Sequence, residues 1–153
     1  DQAATARDQH VTVETALCAD PTVVVVGNAN ALGRIATNLL ANAIKFTPAE
    51  GTVRVTTTCD RESVHLVIDD SGPGISDADH PRVFERFFRS ADPAKRETPG
   101  TGLGLSIVKS LVELLEGRIE IERSPLGGAR MSVTLPRAGD ALVSDDADAV
   151  RSV

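Results

Sequence analysis

The chain has 153 residues, 41% of them hydrophobic and 25% charged, with a formal net charge of −6. That length suits one domain with a real core, and the acidic balance argues against a nucleic-acid partner, whose phosphates call for a basic surplus. No apolar run approaches the roughly eighteen residues of a membrane span, and no charged-then-apolar leader is present, so nothing in these residues reads as crossing or addressing a membrane. The opening "DQAATARDQH" invites reading residues 1–10 as a linker remnant and the chain as a piece of a longer protein. Cys18 and Cys59 are isolated and match no CxxC spacing. A disulfide is open to them, but reduced structural thiols in a reducing compartment are the expectation.

In chain order, "VTVET" (11–15) alternates as a strand does, and "VVVV" (23–26) reads as a short buried strand ended by Gly27. From about Asn30 to Phe46 the period becomes helical, with Pro48 and Gly51 as the stop. "TVRVTTTCD" (52–60) and "SVHLVIDD" (63–70) predict two antiparallel strands around a tight turn at Arg61. Residues 71–100 are rich in Gly and Pro and hold one short amphipathic segment, "PRVFERFFRS", readable as a short helix pinned by its phenylalanines. A second helix is expected from about Leu103 to Glu116, with Gly117 at its end. "RIEIERS" and "ARMSVTLP" then predict a hairpin across "PLGG". Residues 137–153 carry four Asp and no strong periodicity, which reads as a mobile acidic tail. The fold class implied is α/β (α+β): a two-layer sandwich with a mixed sheet covered on one face by helices.

Four stretches carry chemistry. In the first helix, at about 100° per residue, Asn38 and Asn42 share a polar stripe with Arg34 and Lys45, opposite the arc of Leu32, Ile35, Leu39 and Ala43. A solvated helix face is the plain alternative. The chemical reading is that neutral amide oxygens suit a hard cation that also carries phosphate oxygens. In "VIDDSGPGI" (67–75), Asp69 and Asp70 face opposite ways by strand alternation, so only one can enter a pocket opened by glycine backbone. There a carboxylate could accept from an exocyclic amine, or the stretch could be only a connecting turn. "GTGLGLSIVK" (100–109) leads into a helix whose free N–H groups attract anions. It lacks GK[ST] and has no strand before it, so it is neither a Walker loop nor a dinucleotide fingerprint. Between the glycine clusters, residues 81–99 hold five basic and three acidic residues within the acidic chain, which would suit a lid bringing guanidinium groups to a polyphosphate. The chain has no Trp or Tyr, and all four Phe lie in these stretches.

In this order and spacing, "NLLANAIKF", "DDSGPGI", "FERFF" and "GTGLGL" resemble the N box, first glycine box, F box and second glycine box of the ATP-binding catalytic domain of two-component sensor histidine kinases. That family also includes gyrase, the Hsp90 chaperones and MutL. "GGARMSVTLP" is similar to its weaker final box, with Ala129 and Arg130 where Ser or Thr is usual. The resemblance covers residues 11–136 and implies a mainly antiparallel, Bergerat-type ATP-binding fold. It implies that Asn42, supported by Asn38, holds Mg²⁺ on the triphosphate of ATP, that Lys45 contacts phosphate, and that Phe46 borders the adenine pocket. Asp70 would accept from the adenine amine, with Gly72 and Gly74 shaping the pocket. A lid would run from Ile75 to about Thr101 and bring Arg86 or Arg89 to the γ-phosphate, while Gly102 and Gly104 cradle phosphates, with Ile75, Thr101, Leu103 and Leu105 also counted among the nucleotide-binding residues.

Such a domain phosphorylates a histidine elsewhere. The partners implied are the chain's own dimerisation and phosphoacceptor domain and a response regulator. The full-length sensor is then expected to be a homodimer held at the cell membrane by parts outside this chain, with this domain cytoplasmic and monomeric when isolated. His10, His65 and His80 sit in no acceptor-like context. A gyrase- or chaperone-like ATPase clamp is the alternative, but its water-activating Glu would stand at Asn38, and an amide cannot take the proton. Imidazole is already nucleophilic near neutral pH, which favours the kinase. A non-catalytic nucleotide-binding scaffold is the other alternative, and the retained Asn42, Lys45 and Asp70 argue against it.

Overall fold

The computed structural model describes residues 10–19, 25, 28–90 and 101–138. Strand β1 (Thr12–Ala16) is followed by helix α1 (Ala29–Phe46), then strands β2 (Thr52–Cys59) and β3 (Ser63–Asp70). Helix α2 (Gly104–Leu114) and the strands β4 (Arg118–Arg123) and β5 (Ala129–Pro136) complete the order. The five strands form one sheet in the order β1-β2-β3-β5-β4, parallel only between β1 and β2. The expected mixed, mainly antiparallel sheet is what these residues build.

Local chemistry sets the element ends. Asn28 caps α1 by accepting the Asn30 N–H at 2.7 Å. At the other end the Thr47 hydroxyl donates to the Ala43 carbonyl at 2.7 Å, just before Pro48 stops the helix. In the β2–β3 turn, one Asp60 carboxylate oxygen accepts the N–H groups of Glu62 and Ser63, both at 2.8 Å, and so fixes the reversal around Arg61. The Glu62 bond comes first among the causes that hold the Asp60 carboxyl below its ordinary range, followed by the hydrogen bond to His65 and then the Ser63 bond.

Ala31, Ile35, Leu39 and Ala43 repeat every fourth residue and put one side of α1 into the core, against Val53, Ile68, Val133 and the α2 valines Val108 and Val112. The other face of the sheet is polar, as strand alternation requires. One row crosses all five strands. Glu14 pairs in register with Arg54, Arg54 with Asp69, Asp69 with Arg130, and Arg130 with Glu122, so signs alternate from edge to edge. Arg130 grips both carboxylate oxygens of Asp69, at 2.8 and 2.9 Å, and Arg54 donates to Glu14 at 2.9 Å. Only 3% of the Asp69 side chain is exposed, so this acid is buried in the middle of a polar face.

The segment "PRVFERFFRS" is not a helix. Its backbone makes successive turns, such as Arg82 and Val83 onto Asp79 and Phe88 onto Glu85. Phe87 takes φ 63°, which ends any helical path, and the residue is 71% exposed, apart from the buried Val83. Of the 23–26 strand, Val25 makes an isolated bridge to Arg137, and its neighbours lie outside the described residues. Arg137 also donates its backbone N–H to Glu62, and Ala138 is buried, so both belong to the packed body. Residues 1–9 and 139–153, the expected linker and most of the expected tail, lie outside the described residues.

Candidate functional site

A cleft of about 580 Å³ opens between α1, the start of α2, the loop after β3 and the start of β5. Every expected site residue except Gly72 and Arg86 lines it: Asn38, Asn42, Lys45, Phe46, Asp70, Gly74, Ile75, Arg89, Thr101, Gly102, Leu103, Gly104 and Leu105.

The acid is held by the backbone. Asp70 ends β3 with one carboxylate oxygen accepting the Gly72 N–H at 2.9 Å and the Ala129 N–H at 3.0 Å, the latter across the sheet from β5. Gly128 makes this approach possible, because a Cβ there would collide with the Asp70 carboxylate. Gly72 thus acts on the cleft through Asp70 and through its contact with the Phe46 carbonyl, not as a lining residue. Asp69 turns to the other face and is taken by Arg130, as alternation requires.

The asparagines face the start of α2. A Cβ on Gly104 would stand 3.4 Å from the Asn38 oxygen and 3.6 Å from the Asn42 amide nitrogen. The Asn38 amide donates to the Arg34 carbonyl at 2.8 Å, which orients its oxygen away from its own helix. Leu103, the N-cap of α2, has no side-chain acceptor to offer, so among the described residues no side chain caps the first N–H groups of the helix. Asn38, Asn42 and Phe46 climb α1 one turn at a time, and eight residues of helix span about 12 Å. Phe46 brings that climb to Gly72 and hence to Asp70.

Two cations share the cleft. Lys45 lies 4.8 Å over the Phe46 ring. Burial, and then the charge of Arg89, push its ammonium below the ordinary lysine value. Such cations gain from an anion between them. Arg89 reaches the cleft because residues 87–90 are pinned at both ends. The Phe87 N–H donates to the Gly102 carbonyl at 3.0 Å, and the Ser90 hydroxyl donates to Asp79 at 2.6 Å. Gly102 sits at φ 70° against the backbone of Phe87 and Phe88, where a Cβ would not fit. Arg86 stays exposed outside the cleft. The rest of the expected lid, residues 91–100, lies outside the described residues.

Asp79, Ser90, Ala129 and Met131 also line the cleft and were not singled out as site residues. The register of β3 with β5, which places Ala129 and Met131 beside Ile68 and Asp70, is a long-range property that no local motif carries.

A family model described as "Histidine kinase-, DNA gyrase B-, and HSP90-like ATPase" matches residues 27–139, and the chain belongs to that family. Sensor histidine kinases are among its relatives. It is 36% identical over 110 residues to the sensor histidine kinase CpxA of Escherichia coli K12, covering 72% of this chain and 24% of CpxA. It is 43% identical over 129 residues to the histidine-protein kinase/phosphatase MprB of Mycolicibacterium vanbaalenii, covering 81% of this chain and 26% of that protein. The chain therefore spans about a quarter of these curated relatives. Among solved structures, a mycobacterial sensor histidine kinase MprB superposes with a TM-score of 0.78 at 34% identity, covering 90% of this chain and 91% of that one. The motif series also suggests likeness to the actinobacterial sensor PrrB. The ATP-binding domain of PrrB from Mycobacterium tuberculosis superposes at 0.66 with 30% identity over 90% of both chains, below MprB on both measures.

Proposed function

We propose that this chain binds Mg²⁺-ATP and supplies its γ-phosphate to a histidine on a separate dimerisation domain, for relay to the aspartate of a response regulator. One observation carries the reading. Within one cleft, α1 leads over about 12 Å from two neutral amides at a helix N-terminus to an acid held by backbone N–H groups. That is the order and scale of a triphosphate followed by an aminopurine.

Asp70 accepts from the adenine amine, with Phe46 and Met131 walling the base. Lys45, Arg89 and the first N–H groups of α2 hold phosphate oxygens. The donor set fits a hard cation that brings its own phosphate ligands: Asn42, supported by Asn38, offers uncharged oxygen. Among the described residues no cluster of His, Cys, Asp and Glu competes for such an ion. When bound, Mg²⁺ would neutralise charge on the phosphates. Asn38 cannot serve as a base for water, and this favours transfer to an imidazole over hydrolysis. The structure of full-length ShkA, among the solved neighbours, was obtained in complex with AMPPNP, at 29% identity and a TM-score of 0.72 over 89% of this chain and 27% of that one. That supports a nucleotide in the corresponding place here. Among the described residues no helix is long and apolar enough to cross a membrane. We place the chain on the cytoplasmic side of a membrane-bound, dimeric sensor, anchored by other parts of that protein.

The test is calorimetric titration with ATP, with and without Mg²⁺, followed by incubation with a supplied acceptor domain. Magnesium-dependent binding and acid-labile phosphate on the acceptor are expected. Tight binding without any phosphohistidine would leave a nucleotide-binding module and overturn the kinase assignment.

A further inference from the structure

We propose that Cys18 and Cys59 form an oxidisable pair that closes into an intramolecular disulfide, a modification site on the edge of the sheet away from the nucleotide cleft. The two sulfurs are in contact, 2.7 Å apart, although the residues are 41 positions apart in the chain. The contact is built by backbone as well as by side chains. Cys18 lies two residues past the end of β1, and its N–H donates to the Thr57 hydroxyl on β2 at 2.8 Å, which seats the residue against the end of that strand. Cys59 is the last residue of β2. Both cysteines are half-buried, so a small reagent can reach them. The chain holds two cysteines in all, so each has one other cysteine in the chain with which to form a disulfide.

The position gives the bond a consequence. β1 is an edge strand of five exposed residues, joined to the sheet by its parallel pairing with β2. The next helix in chain order is α1, which carries Asn38 and Asn42. A bond between Cys18 and Cys59 would close a loop containing α1 and nearly all of β2, and would fasten the edge strand covalently to its neighbour.

The chemistry needs an oxidant of the small-disulfide class. One cysteine thiolate attacks a sulfur of that disulfide and releases one small thiol. The second cysteine thiolate then displaces the other small thiol from the mixed disulfide. One protein dithiol becomes a disulfide, one small disulfide becomes two thiols, and the two protons lost by the protein are taken up by the departing thiolates. In a reducing compartment the pair rests as thiols, and a rise in oxidised small disulfide closes it.

The experiment treats the reduced chain with oxidised glutathione, quenches it with N-ethylmaleimide under denaturing conditions and weighs it intact. A monomer lighter by two hydrogens and free of maleimide is expected, and Cys18→Ser and Cys59→Ser should each hold one glutathione instead. Two maleimide adducts on the wild type, a glutathione adduct that persists on it, or a disulfide-linked dimer would overturn the pairing. The oxidised wild type should also melt at a higher temperature than the reduced form, reversibly with dithiothreitol and not in Cys18→Ser. An unchanged midpoint would refute the tethering of β1.

Discussion

Replacing Asp70 by Asn separates base recognition from the architecture that holds the acid. One Asp70 oxygen accepts two backbone N–H groups, from Gly72 at 2.9 Å and Ala129 at 3.0 Å. Asn keeps an acceptor oxygen for both and turns the second position into a donor. An adenine amine would then meet N–H instead of a carboxylate oxygen. Losing a charge-assisted hydrogen bond costs about 1–3 kcal/mol, so ATP affinity should fall roughly five- to more than a hundred-fold. The melting temperature should stay near that of the wild type. Asp70→Ala, which strands both N–H groups in a buried place, should lose affinity and also about 1–3 kcal/mol of stability for each group left without a partner. Asp69→Ala serves as the control, because its carboxylate belongs to Arg130 on the other face and its loss should leave nucleotide affinity alone. Isothermal titration with ATP and GTP, paired with thermal melts, reads all three variants. If Asp70→Asn bound ATP as the wild type does, or the wild type bound GTP equally well, Asp70 would not be the group that reads the base.

Asn38→Glu puts a carboxylate one helical turn before Asn42. Acceptor phosphorylation should fall and phosphate release from ATP should rise, and no change in either assay would mean that Asn38 does not act at the phosphates. Burial and Arg89 disfavour charge on Lys45, whereas bound phosphate favours it. ATP affinity should therefore decline as pH rises through the lowered lysine value; Lys45→Met should flatten this slope, and an identical slope in the variant would exclude Lys45 from phosphate contact. Arg130→Ala strips two hydrogen bonds from the buried Asp69, but Arg130 is itself about one-third exposed. We expect a loss of about 1–3 kcal/mol in urea unfolding after discounting for solvent, and a negligible loss would show that the row of charges is ornamental to stability.

Periodicity located both helices and the main hairpins because those signals are local: α1 buries every fourth residue, and β3 alternates until it reaches Asp69 and Asp70. It fails at "PRVFERFFRS", where ten residues can mimic a helical face. The decision rests on one backbone angle at Phe87 and on a hydrogen bond to Gly102, fifteen residues away. The same angle separates Arg89, inside the cleft, from Arg86, outside it, and the sequence alone could not choose between them. The motifs identified most of the cleft because their glycines and amides are needed close to where they stand in the chain. Asp79 and Met131 escaped, since the first depends on Ser90 closing a turn and the second on strand register.

By the resemblance of "GGARMSVTLP" to the final box, Arg130 stands where Ser or Thr would be expected, and its neighbours give a reason for a cation there. The row Glu14, Arg54, Asp69, Arg130 and Glu122 places a cation beside an acid that the sheet has already buried. A hydroxyl could give Asp69 one hydrogen bond and no charge, whereas the guanidinium gives two and is held between two acids, which raises its own affinity for the proton. On the other face of the same strand, the next residue, Asp70, spends an oxygen on backbone N–H groups. Two adjacent aspartates at one strand end thus answer to different partners, one a side-chain cation and the other peptide groups. Neither arrangement draws on the other's donors, so the open face can change its charge pattern without moving the acid that faces the cleft.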